Sequence, residues 1–154
     1  MTEFEMIDLG KLSHFLGLEF NQVQKGMFMH QSRYALEVFK KFGMLNCNPS
    51  STPAELGLKL EKDPEEELVD ATEFRKLVGS LRYLCNSRPA IYFSVSLISR
   101  FMKKPRVSHM QAAKRVLRFI KGTIENGVLF PFEVKSGESD MFSYTDFDWK
   151  RDPE

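Results

Sequence analysis

The sequence predicts an α+β fold: an N-terminal β-hairpin, a bundle of about four helices, and short β-strands toward the C-terminal end. Three observations carry that expectation. Two apolar runs, Phe15 to Phe20 and Met27 to Met29, are divided by Gln24-Lys25-Gly26, the pattern of paired strands around a turn. From Tyr34 to Ile120, apart from one proline-rich interruption, apolar residues recur at three- and four-residue intervals, the period of a helix face. Beyond Gly122 the chain returns to short apolar runs of strand character.

The elements follow in order. Phe15-Leu16-Gly17-Leu18-Glu19-Phe20 reads as one strand with Gly17 inside it, and Met27-Phe28-Met29 as a second. Gly26 accepts positive φ at little steric cost, so it is the natural turn residue between them. Tyr34, Ala35, Val38, Phe39 and Phe42 then share one face of a helix. Ser32 is placed to cap it, Gly43 to end it, and Lys40 and Lys41 complement the dipole in its last turn. Residues 44–69 read as a linker. They hold Pro49, Pro53 and Pro64, the cluster Ser50-Ser51-Thr52 and the acidic run Glu65-Glu66-Glu67, with no periodicity. This linker is expected to cross the surface, with a short turn around Ala54 to Leu58.

Asp70-Ala71-Thr72-Glu73 has capping-box spacing with Asp70 as the cap. The helix it opens shows Phe74, Leu77, Val78, Leu81, Leu84 and Cys85 on one face and ends at Arg88-Pro89. A second helix is expected from about Ala90 to Met102. Its apolar residues go nearly all round, which predicts burial on every side. A third runs from Ser108, taken as its cap, to about Lys121. Val107, Met110, Ala113, Val116, Leu117 and Ile120 form its buried stripe, and Gly122 stops it. Gly127 to Phe132 reads as a strand, Glu133 to Ser139 as a polar turn, and Met141 to Phe147 as a further strand. A strand so apolar normally lies inside a sheet, yet the chain ends soon after it, which suggests a fragment.

The 154 residues suit one domain, or one domain and a piece of another, and 42% hydrophobic content is enough for a core. No apolar run approaches the roughly 20 residues of a bilayer span, so no membrane partner is expected. The N-terminus is acidic and lacks a signal-peptide pattern, so the expected location is cytoplasmic or nuclear and not secreted. Cys47 and Cys85 stand alone, and nothing in their spacing demands a disulfide.

Charge is segregated. From Phe74 to Ile124 there is no Asp or Glu, while twelve Lys and Arg fall in the same stretch. Ten basic residues remain elsewhere against all 21 acids, so the formal net charge of +1 conceals a strongly polarised chain. Such a region is the usual footprint of a polyanion, because each cation beside a phosphate releases a condensed counterion. Lys114, Arg118 and Lys121 lie four and three residues apart and so line one side of a helix, with Arg115 beside them. Arg100, Lys103, Lys104 and Arg106 precede them. This stripe fits a phosphate backbone without reading bases.

Catalytic patterns are scarce. His14, His30 and His109 and the two cysteines have no zinc-ligand spacing. His109 is expected to pack or hydrogen-bond near the start of its helix. No nucleophile elbow and no phosphate-cradling glycine loop is present. Asp146 and Asp148 point to one face of a strand and form a candidate pair for a divalent cation, but a two-metal nuclease site needs more carboxylates than these.

Several stretches, in order, resemble the copia-type retrotransposon Pol polyprotein. They include Phe4-Glu5-Met6-Ile7-Asp8-Leu9-Gly10, Phe15-Leu16-Gly17-Leu18-Glu19, Lys41-Phe42-Gly43-Met44 and Ser51-Thr52-Pro53. Phe74 to Leu81, Arg88-Pro89, Ser99-Arg100-Phe101-Met102, Ala112 to Arg118, Lys121-Gly122-Thr123 and Tyr144 to Trp149 continue the series. The resemblance places the chain after the polymerase active site, running into RNase H. It implies a palm end and primer-grip-like hairpin with the first helix in 1–43, a linker in 44–69, a basic thumb and connecting unit in 70–124, and the start of an incomplete RNase H-like domain in 125–154.

The family's Tyr-Val-Asp-Asp motif is not in this sequence, and Asp146 matches a lone RNase H aspartate. The expectation is a fragment that is non-catalytic alone, needs no cofactor (magnesium would serve the full-length enzyme), and binds RNA–DNA hybrid or DNA duplex without sequence preference. The alternative is a recruited retrotransposon fragment that binds an acidic protein partner. The family usually has an acid after Arg88-Pro89, where this chain has Ala90.

Overall fold

The computed structural model describes residues 13–61 and 65–132. The elements are β1 (His14–Phe15), β2 (Leu18–Val23), β3 (Gly26–His30), α1 (Ser32–Lys41), α2 (Ala71–Leu84), a 3-10 turn (Pro89–Ile91) leading into α3 (Tyr92–Ser99), α4 (Val107–Gly122) and β4 (Val128–Pro131). Four helices and a four-stranded antiparallel sheet of order β1-β2-β3-β4 make an α+β arrangement, as the sequence predicts. The strand Met141 to Phe147 and the turn before it lie outside the described residues.

Two hairpins build the first three strands. Leu16 and Gly17 take φ of 48° and 77°, positive at both central residues as a two-residue type I′ turn requires. The run read as one strand is therefore two, folded back so that Phe15 faces Leu18. Tyr83 of α2 secures this turn by donating its hydroxyl proton to the Leu16 carbonyl. The next hairpin turns at Gln24-Lys25, with Val23 opposite Gly26. Gly26 is not at positive φ, contrary to the expectation. Its lack of a side chain serves a different end: a Cβ there would collide with the Phe130 carbonyl of β4.

The core is helical. Ala35, Val38 and Phe39 of α1 meet Phe74, Leu77, Val78, Leu81 and Leu84 of α2, Val95 and Ile98 of α3, and Ala113, Val116, Leu117 and Ile120 of α4. Each fully buried Leu, Ile or Phe contributes about 1.5–3 kcal/mol. Among the described residues the sheet lies outside this cluster, and Phe15, Leu16, Leu129, Phe130 and Phe132 remain exposed on it.

The joint is a small buried network. The Ser87 hydroxyl donates to Gln31 Oε1 at 2.8 Å and accepts from the Arg88 guanidinium at 3.1 Å. A second guanidinium nitrogen of Arg88 donates to the Ile124 carbonyl at 2.8 Å, and Ser32 Oγ donates to the same carbonyl at 3.0 Å. One network therefore ties the end of β3, the α2–α3 turn and the exit from α4. Arg88 is 3% exposed. Burial pushes its pKa down from the ordinary value.

Helix ends show which expectations held. Asp70 caps α2 by accepting from the Thr72 and Glu73 backbone N–H groups, which hold its carboxyl below the usual carboxylate range. Gly43, at φ 65°, closes α1. Ser32 is not the cap of α1: Gln31 holds that position, and the acid serving this terminus is Glu19 on β2. Glu19 accepts from the Arg33 backbone N–H at 2.9 Å. The Ala90 to Met102 segment breaks into the 3-10 turn and a shorter α3. It is not buried all round, since Tyr92 and Phe93 are 67% and 75% exposed. Apolar residues spread nearly all round this segment hide which side faces the core.

Candidate nucleic-acid interface

The helix that carries the predicted basic stripe has Arg106, not Ser108, as its N-cap. The Arg106 backbone N–H donates to His109 Nδ1 at 3.0 Å. His109 Nε2 therefore carries its proton and donates to the Glu61 carbonyl at 3.0 Å. The ring stacks on Phe101 with centroids 3.9 Å apart and is fully buried, and that burial lowers its pKa. His109 thus packs and hydrogen-bonds at the helix start, as the sequence suggests. Ser108 serves the connector instead: its backbone N–H and its hydroxyl both donate to the Glu66 carboxylate.

From there the connector runs antiparallel along α4, with a polar contact at nearly every turn. Arg106 donates to the Glu66 carbonyl. Arg115 pairs with Glu55 at 2.8 Å and donates to Thr52 Oγ1 at 3.2 Å. Arg118 Nε donates to the Asn48 carbonyl at 2.8 Å, and its own carbonyl accepts from the Ser50 N–H at 3.0 Å. Lys121 Nζ donates to the Leu45 carbonyl at 2.9 Å and lies 5.5 Å from the centre of the Phe39 ring. Met44, Cys47, Leu58, Leu60 and Val69 pack on the core beneath this rail. The segment read as a surface linker is thus a docked strap.

The stripe therefore has two parts. Arg106, Arg115, Arg118 and Lys121 are engaged by the connector. Lys103, Lys104 and Lys114 are exposed and form no ion pair with another described residue, and Arg100 is exposed at the C-cap of α3. Arg75, Lys76 and Arg82 on α2 are also exposed. Engagement does not mean neutralisation. Arg118 and Lys121 bond to neutral carbonyls, so each keeps its full charge in the molecule's field. Among these four, Arg115 has a carboxylate partner.

Sequence reasoning missed a cleft beside this region. Arg82, Cys85, Asn86, Tyr92, Val95, Ser96 and Ser99 line a cavity of about 320 Å³ between α2 and α3. Its one local signal was the aromatic pair Tyr92-Phe93 on a helix assumed to be buried. Among the described residues, no three His, Cys, Asp or Glu side chains gather to hold a metal ion, and Cys47 and Cys85 are free thiols. Asp146 and Asp148 lie outside the described residues.

The reverse transcriptase (RNA-dependent DNA polymerase) family matches residues 1–56. The chain is 37% identical over 149 residues to the retrovirus-related Pol polyprotein from transposon RE1 of Arabidopsis thaliana, covering 97% of this chain and 10% of that protein. It is 36% identical over 149 residues to an uncharacterized mitochondrial protein of the same plant, covering 96% of this chain and 60% of the relative. The Pol polyprotein from transposon TNT 1-94 of Nicotiana tabacum is 32% identical over 160 residues, with 97% of this chain and 12% of the relative covered. No solved structure matches. The sequence is that of the reverse transcriptase region of copia-type retrotransposon Pol polyproteins, and it spans between a tenth and three fifths of these relatives.

Proposed function

We propose that this stretch of a copia-type Pol sequence, taken by itself, binds RNA–DNA hybrid or DNA duplex without sequence preference and performs no phosphoryl transfer. The observation that carries this reading is the acid-free span from Phe74 to Ile124, whose Lys103, Lys104 and Lys114 project from the α3–α4 turn and from α4 without a carboxylate partner among the described residues. Arg100, Arg106, Arg115, Arg118 and Lys121 add charge to the same region, and the last four also hold the connector. Residues 70–124 are then the thumb-like unit, and the location is cytoplasmic or nuclear. Chemistry would need magnesium held by several carboxylates. The Tyr-Val-Asp-Asp motif is not in the sequence.

The test is a labelled hybrid titrated with the chain and with a Lys103→Gln, Lys104→Gln, Lys114→Gln variant. These three side chains hold no other described residue in place, so the variant should melt normally and bind at least tenfold more weakly, since each lost phosphate contact removes part of the counterion release. Equal affinity would refute the assignment. Incubation of a primed template with magnesium and nucleotides is expected to yield no product.

A second reading is a recruited protein-interaction module. The exposed Phe15, Leu16, Leu129, Phe130 and Phe132 on the sheet favour it, together with the same cations facing an acidic partner. A stoichiometric protein captured from nuclease-treated extract, and lost from the three-lysine variant, would support this reading over the first.

A further inference from the structure

The α2–α3 cleft has the chemistry to hold one unpaired nucleotide, and we propose that it does: the base stacks on Tyr92 and the phosphate meets Arg82. This rests on the nucleic-acid reading above and adds to it a second site of different specificity. Five observations support it.

Tyr92 lines the cleft and is 67% exposed, so much of its ring is open to solvent. Base–aromatic stacking tolerates every base, because every base has a π-face. Arg82, on the opposite helix, is exposed and forms no ion pair with any described residue. The guanidinium fork matches a phosphate in two-point geometry.

Asn86 and Ser96 add an amide and a hydroxyl on the same wall, and neither side chain has a hydrogen-bond partner among the described residues. The lining contains no acid, and its segments lie wholly inside the acid-free span, so nothing in it repels an anion. The volume of about 320 Å³ is at the lower end of small-molecule sites and suits a single base. Cys85 is not a reactive centre here. Its thiol donates to the Leu81 carbonyl, and burial raises its pKa.

A base inside a duplex presents no free face to Tyr92, and a terminal pair is too large for a cleft of about 320 Å³, so the cleft should distinguish unpaired from paired nucleotides. The experiment compares a blunt RNA–DNA hybrid with the same hybrid carrying a four-nucleotide single-stranded overhang. The intact chain is expected to bind the overhang form roughly tenfold more tightly, the scale of one stacked base. Tyr92→Ala should abolish that advantage while leaving blunt-hybrid affinity unchanged, Arg82→Gln should abolish it whatever it does to blunt-hybrid affinity, and Tyr92→Phe should retain it. Phe93→Ala, about 100° round the helix from Tyr92, should leave it intact. A blunt hybrid bound as tightly as the overhang form, or an advantage that survives Tyr92→Ala, overturns the cleft assignment alone. Failure of the intact chain to bind either form overturns both readings.

Discussion

Both oxygens of the Glu66 carboxylate are held by Ser108, one by its backbone N–H and the other by its hydroxyl at 2.7 Å. The N-terminus of α4 is thereby capped by an acid about forty residues upstream, and the same contact docks the end of the connector. Glu66→Gln should weaken both. A loss of about 0.5–2 kcal/mol is expected, the range for removing a charged helix cap, and urea unfolding followed by circular dichroism measures it. A change below a few tenths would show that the cap is redundant.

Arg115 and Arg118 anchor the middle of the connector to α4. Arg115 is a partly exposed pair with Glu55, so its loss should cost no more than about 1 kcal/mol of global stability. The local effect should be larger. In the double Ala variant, limited proteolysis should cut residues 44–61 well before the helices, whereas the parent chain resists. Equal cleavage rates would mean that the apolar contacts of Met44, Cys47, Leu58 and Leu60 suffice.

Arg88 is buried and bonds through separate nitrogens to Ser87 and Ile124. Arg88→Ala should destabilise by about 1–3 kcal/mol, the cost of losing hydrogen bonds made by a buried charged group. Arg88→Lys should recover little, since a single ammonium lacks the fork that spans both acceptors. Thermal melting of the three proteins decides this, and full rescue by Lys would contradict the geometry.

His109 sets an acid limit on stability. Its burial lowers its pKa in the folded chain below the ordinary 6.5, so the unfolded chain takes up its proton first as pH falls. The contribution of the neutral ring is whole above pH 6.5. It is lost as pH drops from there toward the lowered folded value, and the loss then levels off. Melting temperatures of the parent chain and of His109→Gln, compared between pH 7.5 and 5, should show a smaller drop in the variant. Parallel drops would remove His109 from the account.

Much of the fold is legible from local pattern. The helix faces, the Asp70 cap, the Gly43 terminator and the second hairpin each leave a signal within a few residues. Some misreadings are local, as at the Leu16-Gly17 turn that reads as strand interior; the others concern long-range contacts. Arg118 meets Asn48, seventy positions away, through a backbone carbonyl, and any residue type at position 48 supplies one. No composition could mark that site. The basic stripe was visible as a stripe, but nothing local tells a cation that faces solvent from one that holds a strap. Phe93, one of the apolar residues that run nearly all round its helix, faces outward, because such a pattern marks no single face for the core.

The central claim is that exposed cations of the helical unit bind nucleic-acid phosphates. The most direct test is the affinity of the chain for a labelled RNA–DNA hybrid measured across a salt series. A plot of log affinity against log salt should fall with a slope of about −3 or steeper, the signature of three or more phosphates neutralised. A flat line would contradict the account.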